Sequence, residues 1–184
     1  MPTRPHDRDH LFIPSKQAYV RGERPKVDCI LCEIVAERDT VERLEVHRTE
    51  HFLVSLNLHP YNPGHLMVFP RRHLLAPAEF TDEEVLGQHQ LQVRAVAILD
   101  SLYGARGYNV GYNLGRASGA SIEHWHLHVV PRYERELGFM DIIGGAKIMV
   151  EDPIRTRDRL REAFAQPLPD ARPGVVPGVP GREG

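Results

Sequence analysis

The stretch "SIEHWHLHVVPRY", residues 121–133, sets His124, His126 and His128 two residues apart, with Trp125, Leu127 and Val129 between and after them. A strand sends successive side chains to opposite faces, so this spacing puts three imidazoles on one face and the apolar residues on the other. A helix would scatter the histidines around its circumference. Val129 and Val130 favour a strand, and Pro131 predicts its end. Three histidines in register admit three readings. They could hold a catalytic metal ion, they could decorate a solvated face, or they could divide the work among a nucleophile, a phosphate-binding donor and a structural residue.

The rest of the chain limits these readings. With 184 residues and 41% apolar content, it can bury one good core and is expected to form a single domain. The formal net charge is −2, and the basic residues are interspersed with acids. That pattern argues against a nucleic-acid binder working by charge and makes any phosphate-bearing partner a small one. The N-terminal "MPTRPHDRDHLFIPSKQ" lacks the apolar core of a secretory signal, and no run approaches the roughly 20 apolar residues of a membrane span. The expectation is a soluble, cytoplasmic protein with no membrane partner. Its two cysteines, Cys29 and Cys32, are separated by two residues, a spacing that in a reducing compartment suggests metal or redox chemistry.

Residues 1–26 are polar without a sustained period and read as an N-terminal arm, residues 27–165 as the domain, and residues 166–184 as a disordered tail rich in proline and glycine. Within the domain, "CILCEIVAERD" predicts a short helix, followed by strands near 43–48, 52–57 and 65–70, with "HPYNPG" as the turn between the last two. Thr81 and Glu84 form a capping-box pattern that should open the longest helix. That helix should run to about Tyr103, with Val85, Leu86, Val93, Val96 and Leu99 as its apolar stripe. "GYNVGYNLG" at 107–115 should be the strand beside the histidines, and Asp152 with Pro153 should start a last helix ending near Ala165. The sum is an α+β domain with a mostly antiparallel sheet and helices packed against it.

If the divided reading of the histidines holds, a neutral imidazole attacks phosphorus and splits one displacement into two. Asn113, Ser121 and the amides of the turn "GRASGAS" would then supply donors to the phosphate oxygens. "SLNLHPYNPGHLMVFPRRH", residues 55–73, adds Asn57, His65 and His73. Each alone is more often a turn or surface residue than a functional one. Together with the triad they form a set.

These motifs resemble those of the histidine triad (HIT) superfamily of nucleotide hydrolases and transferases: "HWHLHVV" matches its alternating histidine signature, and "NPGHLMVFP" matches the segment upstream. The resemblance implies a HIT-like α+β fold and a homodimer, with the long helix and the neighbouring strand at the interface. It implies that His126 is the nucleophile, that His128 hydrogen-bonds the phosphate or leaving group, and that His65 supports the triad. Asn57 falls on the ribose-contacting position, Asn113 and Ser121 on the phosphate-contacting positions, and Leu31 and Ile34 in the base pocket. Some members carry a structural zinc, and its ligands would be Cys29, Cys32, His73 in "PRRH" and His124, with one zinc per chain and no organic cofactor.

One departure bears on the reaction. Where the dinucleoside-hydrolase branch has glutamine before the triad, this chain has Ala120, which removes a contact to the bridging or leaving phosphate. "GYNVGYNLG", "HVVPRY" and "GFMDIIGGAKIM" are instead similar to the branch containing bacterial diadenosine tetraphosphate phosphorylases, with Tyr133 at a position usually aromatic. The expected activity is phosphorolysis or hydrolysis of adenosine polyphosphates through a nucleotidyl-histidine, with inorganic phosphate or water as second nucleophile. The alternatives are hydrolysis of nucleoside phosphoramidates or aminoacyl-adenylates, and nucleotide binding without turnover.

Overall fold

The structure is a computed structural model that describes residues 9–10, 25–134, 146–147 and 152–168. In chain order its elements are β1 (Asp9–His10), α1 (Ile30–Val35), β2 (Glu45–Arg48), β3 (Phe52–Leu56), β4 (Leu66–Pro70), α2 (Asp82–Tyr103), β5 (Gly107–Gly111), β6 (Leu127–Arg132), β7 (Ala146–Lys147) and α3 (Pro153–Ala165). Most of the expected arm, the tail beyond Leu168 and most of "GFMDIIGGAKIM" lie outside the described residues. No helix among the described residues is long and apolar enough to cross a membrane.

The main sheet has the order β2-β3-β4-β6-β5, antiparallel throughout, and β1 makes a separate two-residue parallel pair with β7. Strands β3 and β4 are buried on both faces. Their alternate side chains therefore feed two different cores. On one face Val54, Leu56, Leu66 and Val68 meet Leu91, Ala95, Ile98 and Leu99 of α2 and Leu160 and Phe164 of α3. On the other, Leu53, Met67 and Phe69 meet Leu31 and Ile34 of α1. Trp125, Leu127 and Val129 join the first core, which leaves the alternating histidines to the face of α1, as the two-residue period predicts.

Three local expectations can be compared with the structure. Thr81 caps α2, accepting from Glu84 N–H while the Glu84 carboxylate accepts from Thr81 N–H. The apolar stripe of α2 is otherwise placed: Val85, Leu86 and Val93 are exposed, and the buried line is Glu84, Leu91, Ala95, Ile98 and Leu99. The sheet surface under α2 selects this line, including small Ala95 and the cap's own carboxylate. Pro131 does not end the histidine strand either, because β6 runs to Arg132 and pairs with β5 at Tyr108 opposite Pro131. Pairing with β4 has already stopped at Val129, and the Pro131 carbonyl accepts from buried Asn62 at 2.7 Å, so the proline sits where the ladder on that side is over.

Candidate active site

His124 and His126 precede the regular part of β6, yet they are tied in by main chain: Trp125 N–H donates to the Leu74 carbonyl at 2.7 Å. Both imidazoles are buried, and His128 is half-buried beside them. The hydrogen bonds assign each ring a tautomer. A carbonyl can only accept, so His126 donates from Nδ1 to the His124 carbonyl at 2.9 Å and keeps its Nε2 lone pair. Tyr61 N–H donates to His65 Nδ1 at 3.2 Å, so His65 carries its proton on Nε2. His65 Nε2 then donates to His128 Nδ1 at 2.9 Å, which leaves an N–H at His128 Nε2. The result is an unprotonated nitrogen and a donor on adjacent rings whose centroids are 4.7 Å apart.

Burial keeps this set neutral. His65, fully buried and next to His128 and His126, is pushed down to about 3, and His128 to about 4. His126 is also lowered by burial, against the partial opposition of its bond to the His124 carbonyl. His65 holds His128 from outside the cleft, so of the two it is His128 that lines the cleft.

Both histidines open onto a cleft of about 290 Å³. Leu31, Ile34 and Leu44 line its apolar part, and Asn57, Asn113 and Ser121 its polar part. All five residues expected from the sequence to bind substrate are therefore in one wall system. The Asn57 carbonyl oxygen accepts from His59 N–H at 2.8 Å, which leaves its amide N–H groups as donors. β5 and β6 pair directly, but the connection between them is longer than a hairpin turn and contains a 3-10 turn at Arg116–Ser118. Ala120 is not among the lining residues, whereas Gly119, Ser121 and Ile122 are.

Sequence reasoning passed over Tyr61, an exposed aromatic in the cleft wall whose only signal was its place in "HPYNPG". It also passed over Arg72, which grips the Glu84 carboxylate with two bonds of 2.6 Å and so fixes the segment leading to His73 against the start of α2. That guanidinium is the main cause holding the Glu84 carboxyl at about 2.

Behind the cleft, Cys29, Cys32, His73 and His124 each offer a ligand atom, all within 4.8 Å of one another. Cys29 caps α1 and Cys32 lies within it. His124 Nδ1 lies 3.5 Å from both sulfurs, and His73 Nδ1 lies 3.2 Å from Cys32 Sγ. A thiolate and an imidazole nitrogen on one tetrahedral zinc would be about 3.6 Å apart, from the usual bond lengths. His124 donates from Nε2 to the Pro70 carbonyl at 3.0 Å, which turns the Nδ1 lone pair toward the sulfurs, the outer support a ligating histidine needs. Burial and the Cys29 neighbour push the Cys32 thiol up to about 11, so a second negative charge is unfavourable there until a cation joins the pair. The four residues fit a metal ion.

Comparison with known proteins accords with this arrangement. The chain is 39% identical over 126 residues to a protein named AP-4-A phosphorylase from Mycobacterium tuberculosis, an alignment spanning 68% of this chain and 65% of that one. It is 28% identical over 112 residues to an adenosine 5'-monophosphoramidase of Schizosaccharomyces pombe, covering 61% of this chain and 80% of the other. A zinc-bound histidine triad family protein from Mycobacterium smegmatis superposes with a TM-score of 0.62 at 28% identity, covering 75% of this chain and 94% of that structure. The HIT domain family matches residues 39–135, just over half of the chain and the whole of the histidine-bearing sheet. The chain therefore belongs to the histidine triad (HIT) family.

Proposed function

We propose that this protein transfers a nucleotidyl group from adenosine polyphosphates, with diadenosine tetraphosphate as substrate, through a covalent intermediate on His126. The observation that carries the reading is the pair of opposed nitrogens, an Nε2 lone pair on His126 beside an Nε2 proton on His128, opening onto a cleft that is apolar at one end. His126 Nε2 attacks the α-phosphorus and forms a P–N bond while the bond to the bridging oxygen breaks and ATP departs. His128 donates to an oxygen of the phosphate or leaving group, and Asn113, Ser121 and the nearby amides hold the others. Leu31 and Ile34 enclose the base, and Asn57 holds the ribose. An oxygen of inorganic phosphate then attacks phosphorus, the P–N bond breaks, and ADP leaves; with water in that role the product is AMP.

The likeness to the mycobacterial AP-4-A phosphorylase favours phosphate as the second nucleophile. Cys29, Cys32, His73 and His124 would hold one zinc ion per chain. A closed four-ligand zinc supplies scaffold stability and no reaction step. A second copy of the chain would cover β5, an edge strand of the sheet, with exposed Val110 in it and exposed Tyr112 and Leu114 just after it.

Incubation with diadenosine tetraphosphate, with and without inorganic phosphate, tests the reading by product analysis. ADP with ATP, formed only when phosphate is present, is the expected result. AMP with ATP in its absence would make the protein a hydrolase acting through the same intermediate. Turnover of adenosine phosphoramidate alone would favour the reaction named for the fission-yeast relative, and no products with any nucleotide would overturn the proposal.

A further inference from the structure

The turn between β3 and β4 is pinned at several points. Asn62 donates to the Pro131 carbonyl at 2.7 Å, and the Tyr133 hydroxyl donates to the Pro63 carbonyl at 2.9 Å. Gly64 has a φ of +79°, and a Cβ there would come within 3.0 Å of the Leu99 side chain, so the turn lies close against α2. On this fixed turn Tyr61 is 60% exposed. Its ring stacks on buried His65 with centroids 5.0 Å apart and planes 15° apart, and it stands 6.2 Å from the His128 ring. One aromatic face is thus occupied, and the exposure of the residue leaves the other to solvent at the mouth of the cleft.

We infer that Tyr61 is the platform on which the second base of a dinucleoside polyphosphate stacks, and that it gives the enzyme its preference for substrates with two nucleosides over those with one. The inference rests on the functional reading above. The apolar wall at Leu31 and Ile34 accommodates one base, and a substrate with two needs a second surface beyond the phosphates. On the functional reading His128 serves the phosphate or leaving group, so that surface belongs on its side of the cleft, where Tyr61 presents an aromatic ring. An exposed tyrosine by itself signifies little. Here the ring is already ordered by its turn and by His65, so little conformational freedom is lost when a purine stacks on it. Stacking of a base on an aromatic side chain also tolerates any base, since each presents a π face.

The test compares diadenosine tetraphosphate with adenosine 5′-tetraphosphate, which has the same adenosine and the same number of phosphates but lacks the second nucleoside. Wild type, Tyr61→Leu and Tyr61→Trp are assayed for kcat/KM on the dinucleotide and for the inhibition constant of the mononucleotide as competitor. Tyr61→Leu should lower kcat/KM about tenfold. It should leave the inhibition constant within about twofold, and Tyr61→Trp should restore the dinucleotide. Equal weakening of both ligands would mean that Tyr61 only shields His65 and would overturn the inference, as would no change in either. A wild type that turns over the dinucleotide but ignores Tyr61→Leu keeps the functional reading and removes the platform alone. A wild type inert toward the dinucleotide removes both.

Discussion

His124 and His126 are two residues apart on the segment that leads into β6, yet they present opposite nitrogens. His124 gives its proton to the Pro70 carbonyl from Nε2 and turns Nδ1 toward the two sulfurs. His126 gives its proton to a carbonyl from Nδ1 and turns Nε2 into the cleft. Identical side chains two residues apart present different nitrogens because different main-chain carbonyls lie within reach. The difference teaches that residue type offers two ring nitrogens and the backbone decides which one is presented.

The most severe way to break this division is His126→Ala. Turnover should fall by at least about 10³-fold. The metal content and Tm should stay those of the wild type, because the substitution leaves the His124 ring and its partners in place. Loss of metal together with activity would mean that the three histidines share one ion. The converse is Cys32→Ala, or chelation of the wild type. Metal content should drop from one per chain to none, with Tm lower by on the order of 10 °C. Nucleotide turnover should persist at temperatures where the chain stays folded, and abolition of the reaction in a folded metal-free chain would refute the separation.

The gentlest test is the pH profile of kcat/KM. An unperturbed imidazole titrates near about 6.5. Burial lowers His126 from that value and holds His128 at about 4, so each takes up its proton at lower pH than a free imidazole does. The rate should therefore fall with decreasing pH only below the point where a free imidazole titrates, as protonation removes the His126 lone pair. A half-maximal rate at about pH 6.5 would show a nucleophile more exposed to water than the geometry allows.

Much of this was legible in the sequence. The two-residue period around Trp125, Leu127 and Val129 assigned the sheet faces, because a strand has only two sides to choose between. The Thr81 and Glu84 cap marked the start of α2 through a local hydrogen-bond pattern. The cysteines, His73 and His124 came together as the family resemblance implied. What failed needed the tertiary surface. Val85, Leu86 and Val93 look like a core stripe until the sheet selects Ala95 and Leu91 on the other side of the helix. Pro131 looks like a stop until β4 is seen to leave the ladder first. Tautomers were beyond reach for the same reason, since the carbonyls that decide them are those of Pro70 and of His124, set by the path of the main chain.

The acceptor that orients His126 is the backbone oxygen of His124, not its ring. Any amino acid at position 124 brings that oxygen with it, provided the strand keeps its path. Over evolutionary time the cysteine–histidine cluster and the orientation of His126 are thus separable traits. A lineage can drift away from histidine at 124 and give up the four-residue cluster, while the contact that turns the His126 Nε2 into the cleft passes on unaltered.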